Sequence, residues 1–259
     1  MDVNTSTLEN GRAAQLRIQV RSHSRSLDPK LSIVMPVYNE ACALPGVLDE
    51  ALAVASASPV ACEVVLVDDA STDGSLDILL AYEREYPAVV RVIRHEANQG
   101  IMGAFETLYR AARGRYVFLN ASDGQWKTAE CLRLLEVCEQ YHVVVGLRRI
   151  KNYTLWRKIV SDSFNFLPRL LFGVHTYDAG SIKLFRADVL RIPLISGSPF
   201  REAERIIRAR RRGYRVGAME VEHHERSRGQ ATGARLSLVV LSLVDLLRCF
   251  WDIVVLGRR

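Results

Sequence analysis

The sequence has no pair of cysteines at the C-x-x-C spacing that is typical of structural zinc sites. Its cysteines are odd in number and lie in or beside apolar runs. They are Cys42, Cys62, Cys131, Cys138 and Cys249. This scatter argues against a zinc module and predicts reduced cysteines in the core of a cytosolic protein.

The first thirty residues lack the apolar stretch that a secretory signal requires. They are polar and rich in serine, asparagine and arginine. We therefore expect residues 1–29 to form a flexible N-terminal tail. The missing signal and the reduced cysteines together predict a cytoplasmic location.

Two classes of protein are excluded by missing patterns. No G-x-G-x-x-G segment follows the first predicted strand, as a nicotinamide-dependent dehydrogenase would need. The net charge is +6 and the excess concentrates at residues 148–158 and 201–215. Aromatic residues are sparse within these basic clusters, so we predict no nucleic-acid partner. The clusters suit phosphates, an anionic membrane surface or simply the solvated faces of helices.

Short apolar runs alternate with helical patterns along most of the chain, and the 49% hydrophobic content allows a full core. Because parallel strands need crossover connections, this alternation predicts one α/β domain with a Rossmann-like, mostly parallel sheet flanked by helices. The expected strands are residues 31–38, 62–68, 89–93, 115–119, 141–146, 181–185 and 215–222. The expected helices are residues 44–55, 75–85, 101–113, 127–139, 155–172 and 202–212.

Polar residues follow several of these strands at the point where each one ends. Glu40 follows the first strand, Asp68 and Asp69 end the second, and a later strand breaks abruptly into Asp123, a glycine and Gln125. The carboxyl ends of parallel strands meet at one edge of the sheet, where ligands bind. Carboxylate and amide oxygens are suitable ligands for a divalent cation. We therefore place the candidate active site at this edge, around Asp123.

The C-terminal stretch 236–256 is apolar and about 21 residues long, which is enough to cross a bilayer. It carries Asp245, Arg248 and Asp252 at spacings of three and four, so one helical face holds all three. Each charge at the bilayer centre would cost about 2.5 to 3.5 kcal/mol. We therefore predict that residues 233–259 form an amphipathic helix on a membrane surface. A helix docked on the domain or on a partner is the second choice, and a spanning helix the third.

Several segments, taken in order, resemble the family 2 glycosyltransferases. They are residues 32–40, 64–75, 98–104 and 123–125, with later matches at 146–148, 178–181 and 226–229. Within that family the chain is most similar to the polyprenyl-phosphate sugar transferases of the dolichyl-phosphate mannose synthase type. The resemblance implies a GT-A fold over residues 30–232, a nucleotide-sugar donor, a Mg²⁺ or Mn²⁺ cofactor and inversion at the anomeric carbon.

The resemblance assigns the nucleotide-sugar donor to the first two loops and to the turn before the third helix. A carboxylate there can accept a hydrogen bond from the imide N–H of uracil or guanine, so the donor can be UDP- or GDP-linked. Glycine permits the backbone to approach the nucleotide closely. The residues that the resemblance assigns are Pro36, Tyr38, Glu40, Asp68, Asp69, Asn98 and Gly100.

The metal is assigned to Asp123 and Gln125, the family's metal-contacting positions, and Asp123 is also counted as catalytic. The family usually has a second aspartate two positions before Asp123, where this chain has Ala121. Either Asn120 and Asp69 share the missing role, or metal or ribose binding is weaker.

The acceptor phosphate is assigned to Arg148, Arg157, Ser161 and Arg226, and the three arginines complete the catalytic set. A lipid phosphate is already anionic, so it needs alignment and cationic groups rather than a general base. The planar guanidinium suits that role. The family's Gly-x-Ser-Lys ending is Gly-Gln-Ala-Thr here, at residues 229–232, so a lysine and a hydroxyl are absent.

The leading hypothesis is an inverting, metal-dependent transferase that moves a sugar from a UDP- or GDP-sugar to undecaprenyl or dolichyl phosphate. It would be peripheral on the cytoplasmic face of the membrane and serve cell-envelope glycan biosynthesis. The sugar, the base and a homo-oligomeric state are left open by the sequence.

Two alternatives remain. The same fold could glycosylate a saccharide or another hydroxyl acceptor, which would require a general base. The candidates for that base are Asp178, Glu202 and Glu204. The chain could instead be a nucleotide-sugar-binding protein without turnover, as Ala121 and the altered segment 229–232 suggest.

Overall fold

The computed structural model describes residues 30–148, 155–178, 180–224 and 236–258, and at residues 155–160 it describes the backbone alone. The predicted N-terminal tail lies outside the described residues, so the three domain boundaries stay predictions. The strands are Leu31–Val37 (β1), Cys62–Asp68 (β2), Val90–Arg94 (β3), Tyr116–Leu119 (β4), Val143–Arg148 (β5), Lys183–Arg186 (β6) and Val216–Val221 (β7). The helices are Leu44–Ala57 (α1), Ser75–Glu85 (α2), Gly100–Ala111 (α3), Glu130–Glu136 (α4), Leu155–Phe172 (α5), Ala187–Leu190 (α6), Arg201–Arg211 (α7) and Leu236–Phe250 (α8).

The strands form one sheet in the order β3-β2-β1-β4-β6-β5-β7. The pairs β1–β2, β2–β3, β1–β4 and β5–β7 are parallel, so the predicted mostly parallel sheet is confirmed. Strand β6 runs antiparallel to both β4 and β5. The sequence did not predict this reversal, because a strand of four residues carries no information about its direction.

Helices cover both faces of the sheet. The side chains of successive strand residues point to opposite faces, so Ile33 and Met35 pack with α1, α2 and α4. Val34 packs on the other side with α3, α5, α7 and α8. The predicted α/β architecture with flanking helices is therefore confirmed.

Two elements differ from the predicted pattern. The helix expected over residues 127–139 is only Glu130–Glu136, because the preceding segment is held at the end of β7, where Trp126 forms a bridge with His223. The short helix α6 was not predicted, since four residues are too few to show a helical period.

Gly114 lies against the backbone of β1, and a Cβ atom built there would be 2.6 Å from the Ser32 nitrogen and 2.8 Å from the Leu31 carbonyl carbon. We predict that Gly114→Ala lowers the free energy of unfolding by about 2 to 3 kcal/mol in urea denaturation, because backbone atoms cannot move aside. Gly46, in α1, is the matched control, since nothing lies within 4 Å of its added Cβ. Gly46→Ala should leave stability unchanged or raise it by up to about 1 kcal/mol. Equal effects of the two substitutions would contradict the prediction.

Helix α8 packs on the domain and continues into a π-helical turn, Trp251–Val255. Leu246, Cys249 and Ile253 are buried in the core beneath it. The outer face is apolar and exposed, and consists of Leu236, Val240, Leu243, Val244, Leu247, Trp251, Val254 and Val255.

The charged face predicted for this stretch is turned mainly toward the protein. Asp245 and Asp252 are bonded to the domain, the latter through Arg208 at 2.6 Å. The docked helix, the second of the sequence-based choices, is therefore what the structure shows, while the membrane-surface role stays a prediction. Among the described helices, none combines the length and apolar character needed to span a membrane.

Candidate active site

A cleft of about 900 Å³ opens at the carboxyl ends of β1, β2 and β4. The cleft is lined by the loops that follow these strands, by the start of α3, by residues 197–199 and by α8. Of the residues assigned from the sequence, the structure brings together in this cleft Pro36, Tyr38, Glu40, Asp69, Asn98, Gly100 and Asp123.

The loops after β1 and β2 are tied to each other. Asn39 adopts a left-handed backbone with φ 56°, and its side-chain oxygen accepts a hydrogen bond from the Thr72 nitrogen at 2.8 Å. The Glu40 backbone nitrogen donates to Ser75 Oγ at 2.9 Å. This bracing leaves the Tyr38 ring 49% exposed at the cleft, where a planar base could stack on it.

Asp68 is fully buried at the end of β2, and the bonding of its two oxygens differs. Oδ2 accepts a hydrogen bond from the Ser71 nitrogen at 3.3 Å. Oδ1 is buried and has no hydrogen-bond partner among the described residues. An unsatisfied buried carboxylate oxygen is costly, but Asp68 is not among the residues that line the large cleft, so its assignment to the donor nucleotide stays a prediction.

Asp69 connects the loop after β2 to the segment between β3 and α3. Its Oδ1 lies 2.7 Å from His95 Nδ1 and accepts a hydrogen bond from the Gln99 nitrogen at 2.8 Å. His95 Nε2 lies 2.9 Å from Thr107 Oγ1 on α3. His95 and Thr107 were missed by the sequence reasoning, because no local pattern signals a contact between residues 26 positions apart.

The candidate metal corner follows β4. Asp123 Oδ1 accepts a hydrogen bond from the Gln125 backbone nitrogen at 3.1 Å, and Gly124 makes this turn with φ 71°. Asn120 is 2% exposed, and its amide bonds to Thr128 Oγ1 and to the Ala121 nitrogen. Both polar atoms of Asn120 are therefore already bonded inside the protein, and the suggestion that Asn120 and Asp69 share the role of the missing carboxylate stays a prediction.

The donor set at this corner fits a hard divalent cation that takes part of its coordination from the substrate. Asp123 and Gln125 offer one carboxylate and one amide oxygen, and Mg²⁺ is often held by one or two carboxylates together with substrate phosphates and water. Within the described ranges, no three residues of the types His, Cys, Asp and Glu are grouped to hold a metal. One carboxylate and one amide oxygen fit a metal that takes its remaining ligands from a diphosphate and water.

Arg148, at the end of β5, is held in a fixed orientation. Asp178 accepts from its Nε at 2.7 Å and from its Nη2 at 2.9 Å. The guanidinium carbon also lies 5.6 Å from the centre of the Trp126 ring. Tyr177, next to this aspartate, has φ 55°, a strained backbone of a kind that is common at functional sites.

A smaller cavity of about 190 Å³ adjoins this ion pair. It is lined by Ser161, Phe164 and Asp178, and by residues of α7 and α8. The structure thus brings Ser161 and the partner of Arg148 together. The side chain of Arg157 and all of Arg226 lie outside the described residues.

His223 and His224 connect the metal corner to the end of β7. The His224 nitrogen donates to the Gln125 carbonyl at 2.8 Å, and the His223 ring meets the Trp126 ring edge-on at 4.6 Å. Burial, and then the positive charge of Arg148, holds the pKa of His223 below its usual value even though Asp123 is near. His223 is therefore neutral at neutral pH and adds no positive charge to the site.

The three carboxylates considered as general bases are all engaged. Asp178 holds Arg148. Glu202 is 3% exposed, accepts from the Tyr109 hydroxyl at 3.1 Å and lies 3.4 Å from Lys183 Nζ. Glu204 is completely buried and accepts from Arg208 Nε at 2.6 Å. None of the three lines the large cleft.

The sheet, the hydrogen-bonded loops after β1 and β2, and the acidic turn after β4 together define a GT-A nucleotide-sugar transferase fold. The sequence signature of Glycosyl transferase family 2 matches residues 32–192. The chain therefore belongs to glycosyl transferase family 2, as its motifs predicted.

Two curated relatives show what the chain is similar to within the family. The chain is 27% identical over 224 residues to a dodecaprenyl-phosphate galacturonate synthase of Rhizobium johnstonii, covering 84% of this chain and 66% of the relative. It is 32% identical over 224 residues to an undecaprenyl-phosphate 4-deoxy-4-formamido-L-arabinose transferase of Pseudomonas paraeruginosa, covering 85% and 64%. The chain thus spans somewhat less than two thirds of the length of these relatives.

Solved structures confirm the fold. The mannosyltransferase PcManGT of Pyrobaculum calidifontis, in complex with GDP-Man and Mn²⁺, has a TM-score of 0.62 at 19% identity and covers 85% of this chain and 64% of that chain. Glucosyl-3-phosphoglycerate synthase of Mycobacterium tuberculosis, in complex with Mn²⁺, UDP and glucosyl-3-phosphoglycerate, has a TM-score of 0.64 at 16% identity and covers 85% and 80%.

Proposed function

We propose that this chain transfers a sugar from a UDP- or GDP-linked donor to a polyprenyl phosphate. The observation that carries the proposal is which charged side chains near the site are already paired within the protein and which one is oriented beside a cavity. The carboxylates that could act as a base toward a hydroxyl are buried or ion-paired. An arginine, meanwhile, is oriented beside a small cavity. A phosphate nucleophile needs no base, and both curated relatives are named for transfer to a prenyl phosphate.

The donor nucleoside would bind at the loops that follow β1 and β2. The exposed Tyr38 ring offers a stacking surface, and buried Asp68 Oδ1 offers an acceptor for a base N–H. Glu40 and the backbone at Gly100 complete this side of the cleft. Both uracil and guanine present an N–H to such a carboxylate, so the proposal leaves the base open.

The diphosphate would lie at the metal corner, where Asp123 and Gln125 would hold Mg²⁺ or Mn²⁺. The metal, when bound, supplies positive charge for the leaving diphosphate. The protein's part is orientation: the turn at Gly124 fixes Asp123, and Ser122 Oγ donates to the Pro36 carbonyl at 2.7 Å, which joins this corner to the first loop.

The acceptor phosphate would approach from the side of Arg148 and Ser161, with Arg157 and Arg226 as further cationic groups. Asp178 fixes the plane of the Arg148 guanidinium, so its charge is already aimed before substrate arrives. A single in-line attack on the anomeric carbon would then invert its configuration.

The outer face of α8 supports work at a membrane surface. It presents contiguous exposed apolar side chains, including Leu247 and Trp251, and helices of this type lie in the interface between lipid and water. We propose a peripheral position on the cytoplasmic face, where a polyprenyl phosphate would present its head group.

The test is a panel of UDP- and GDP-sugars with MgCl₂ or MnCl₂, offered undecaprenyl or dolichyl phosphate, with the glycolipid product measured by mass spectrometry. We expect product from at least one donor, and only with a lipid phosphate. Transfer to free sugars with no glycolipid would support the hydroxyl-acceptor alternative. Binding of UDP or GDP with no turnover on any acceptor would support a binding protein.

A further inference from the structure

One short segment of the cleft wall is held by carboxylates from two different helices. Residues 195–198, which we name the clasped segment, present four successive backbone N–H groups. Glu204 of α7 accepts from Ile195 at 3.0 Å and from Ser196 at 2.8 Å. Asp245 of α8 accepts from Gly197 at 3.0 Å and from Ser198 at 2.9 Å. Each N–H of the segment is therefore bonded to a charged acceptor.

The clasped segment lies between the two halves of the site. Gly197 and Ser198, with Pro199 after them, line the large cleft together with the nucleotide loops. Pro199 also lines the smaller cavity with Ser161 and Asp178. A shift of this segment would change the acceptor side of the cleft while leaving the nucleotide loops in place.

Asp245 is unusual for its position. It is the one acidic residue of the largely apolar helix α8, and it is 6% exposed. Both bonds to the clasped segment fall on one atom, Oδ2, while Oδ1 lies 3.8 Å from Arg248 on the next turn. A hydrogen bond to a charged acceptor is roughly twice as strong as one between two neutral groups. The cost of burying this carboxylate is therefore offset by its specific bonds to the clasped segment and not by general packing.

We propose that Asp245 is a positioning residue, which fixes the clasped segment against the cleft and so makes acceptor binding depend on where α8 sits. This proposal rests on the proposed function. The same helix lines the cleft with Leu238 and Leu241 and turns its apolar face outward. Asp245 thus joins the part of the chain best suited to contact lipid to the wall of the site where a lipid phosphate would react.

Asp252 provides a matched control on the same helical stretch. It holds the end of the helix to α7 through Arg208, at 2.6 Å. It makes no direct bond to the clasped segment, and its link to that segment runs through Arg208, which also donates to Glu204 at 2.6 Å. Asp252→Asn loosens the attachment of the helix end but keeps both Asp245 bonds. Asp245→Asn keeps the size of the side chain and the attachment at Arg208, but removes the charged acceptor.

The experiment compares the full-length wild type with these two variants. Amide hydrogen exchange, read by mass spectrometry, should show faster exchange at Gly197 and Ser198 in Asp245→Asn alone. With undecaprenyl phosphate as acceptor, Asp245→Asn should raise the acceptor KM about tenfold, because small misplacements of a positioning group are costly. Calorimetry with UDP and GDP plus MnCl₂ should give a nucleotide Kd within about twofold of the wild-type value. The reason is that the substitution is expected to weaken binding of the acceptor and not of the nucleotide.

Several outcomes would overturn the inference. Unchanged acceptor KM in Asp245→Asn, despite faster exchange, would show that the contact is structural only. Equal effects of the Asp252 and Asp245 variants would assign the role to helix attachment in general. If the wild type itself forms no glycolipid, the proposed function fails first, and exchange at the two amides still tests the contact. Should the asparagine variant not fold, Asp245→Ser serves instead, because it leaves room for water.

Discussion

Asp123→Ala is expected to lower the rate of sugar transfer by about a thousandfold, because the leaving diphosphate then loses the group that holds its counter-charge. The side chain lies at the lip of the cleft and not in the core, so the fold should persist. The bond from Oδ1 to the Gln125 nitrogen braces the turn itself. Asp123→Asn, which preserves that bond, separates the loss of charge from the loss of the turn.

The measurement is initial rate against MnCl₂ and MgCl₂ concentration, with the donor that proves active. Both variants should lose the metal-stimulated part of the rate, and calorimetry should show that UDP or GDP no longer binds more tightly when metal is added. Asp77→Asn is the matched control, since Asp77 is an exposed carboxylate in the first turn of α2 and does not line the cleft. Metal-stimulated turnover that survives in Asp123→Ala would refute the metal assignment.

The fold could be predicted well from the sequence because its signals are local. The runs that form β1 and β2 are apolar and β-branched and end in acidic or polar residues, and each is followed by a helical period. That pattern is sufficient to place the carboxyl edge of the sheet, and Asp123 lies there. The direction of β6 was not predictable, because it depends on how α5 returns the chain to the sheet.

The candidate site was predicted less completely, because part of it depends on contacts between distant segments. Asp69 was assigned to the ligand, but its Oδ1 is occupied by His95 and Gln99. A carboxylate that binds ligand and one that braces loops look the same in a sequence. Asp68, its neighbour, has a buried oxygen with no partner among the described residues, and only the structure distinguishes the two.

The C-terminal helix shows the same limit. The spacing of Asp245, Arg248 and Asp252 correctly placed them on one helical face. Periodicity cannot say whether that face meets water or protein, and two of the three carboxylate and guanidinium groups turn out to bind the domain. Other apolar residues of the stretch, such as Leu247 and Trp251, are exposed on its outer face, so a docked helix and a membrane-surface helix are compatible.

Arg148→Ala is expected to lower kcat/KM for the lipid acceptor by about a hundredfold to a thousandfold, because the site loses a cationic group that is already oriented before the acceptor binds. Arg148→Lys should be nearly as impaired, because an ammonium group cannot make the two parallel bonds to Asp178 that fix the guanidinium plane. Asp178→Asn leaves the charge in place but loosens its orientation, so we expect a smaller loss, of about tenfold.

The kinetics should separate the two halves of the site. Arg148 variants should change the acceptor KM and kcat, while the Kd of UDP or GDP stays near the wild-type value, because we propose that the nucleoside is held by a different part of the site, at Tyr38 and Asp68. Arg110→Lys, an exposed arginine on α3, is the control and should retain full activity. If Arg148→Lys transfers sugar as fast as the wild type, the planar, Asp178-oriented guanidinium does not align the acceptor, and the role falls to Arg157 and Arg226. If nucleotide binding is lost instead, Arg148 serves the donor diphosphate, and the acceptor must enter elsewhere.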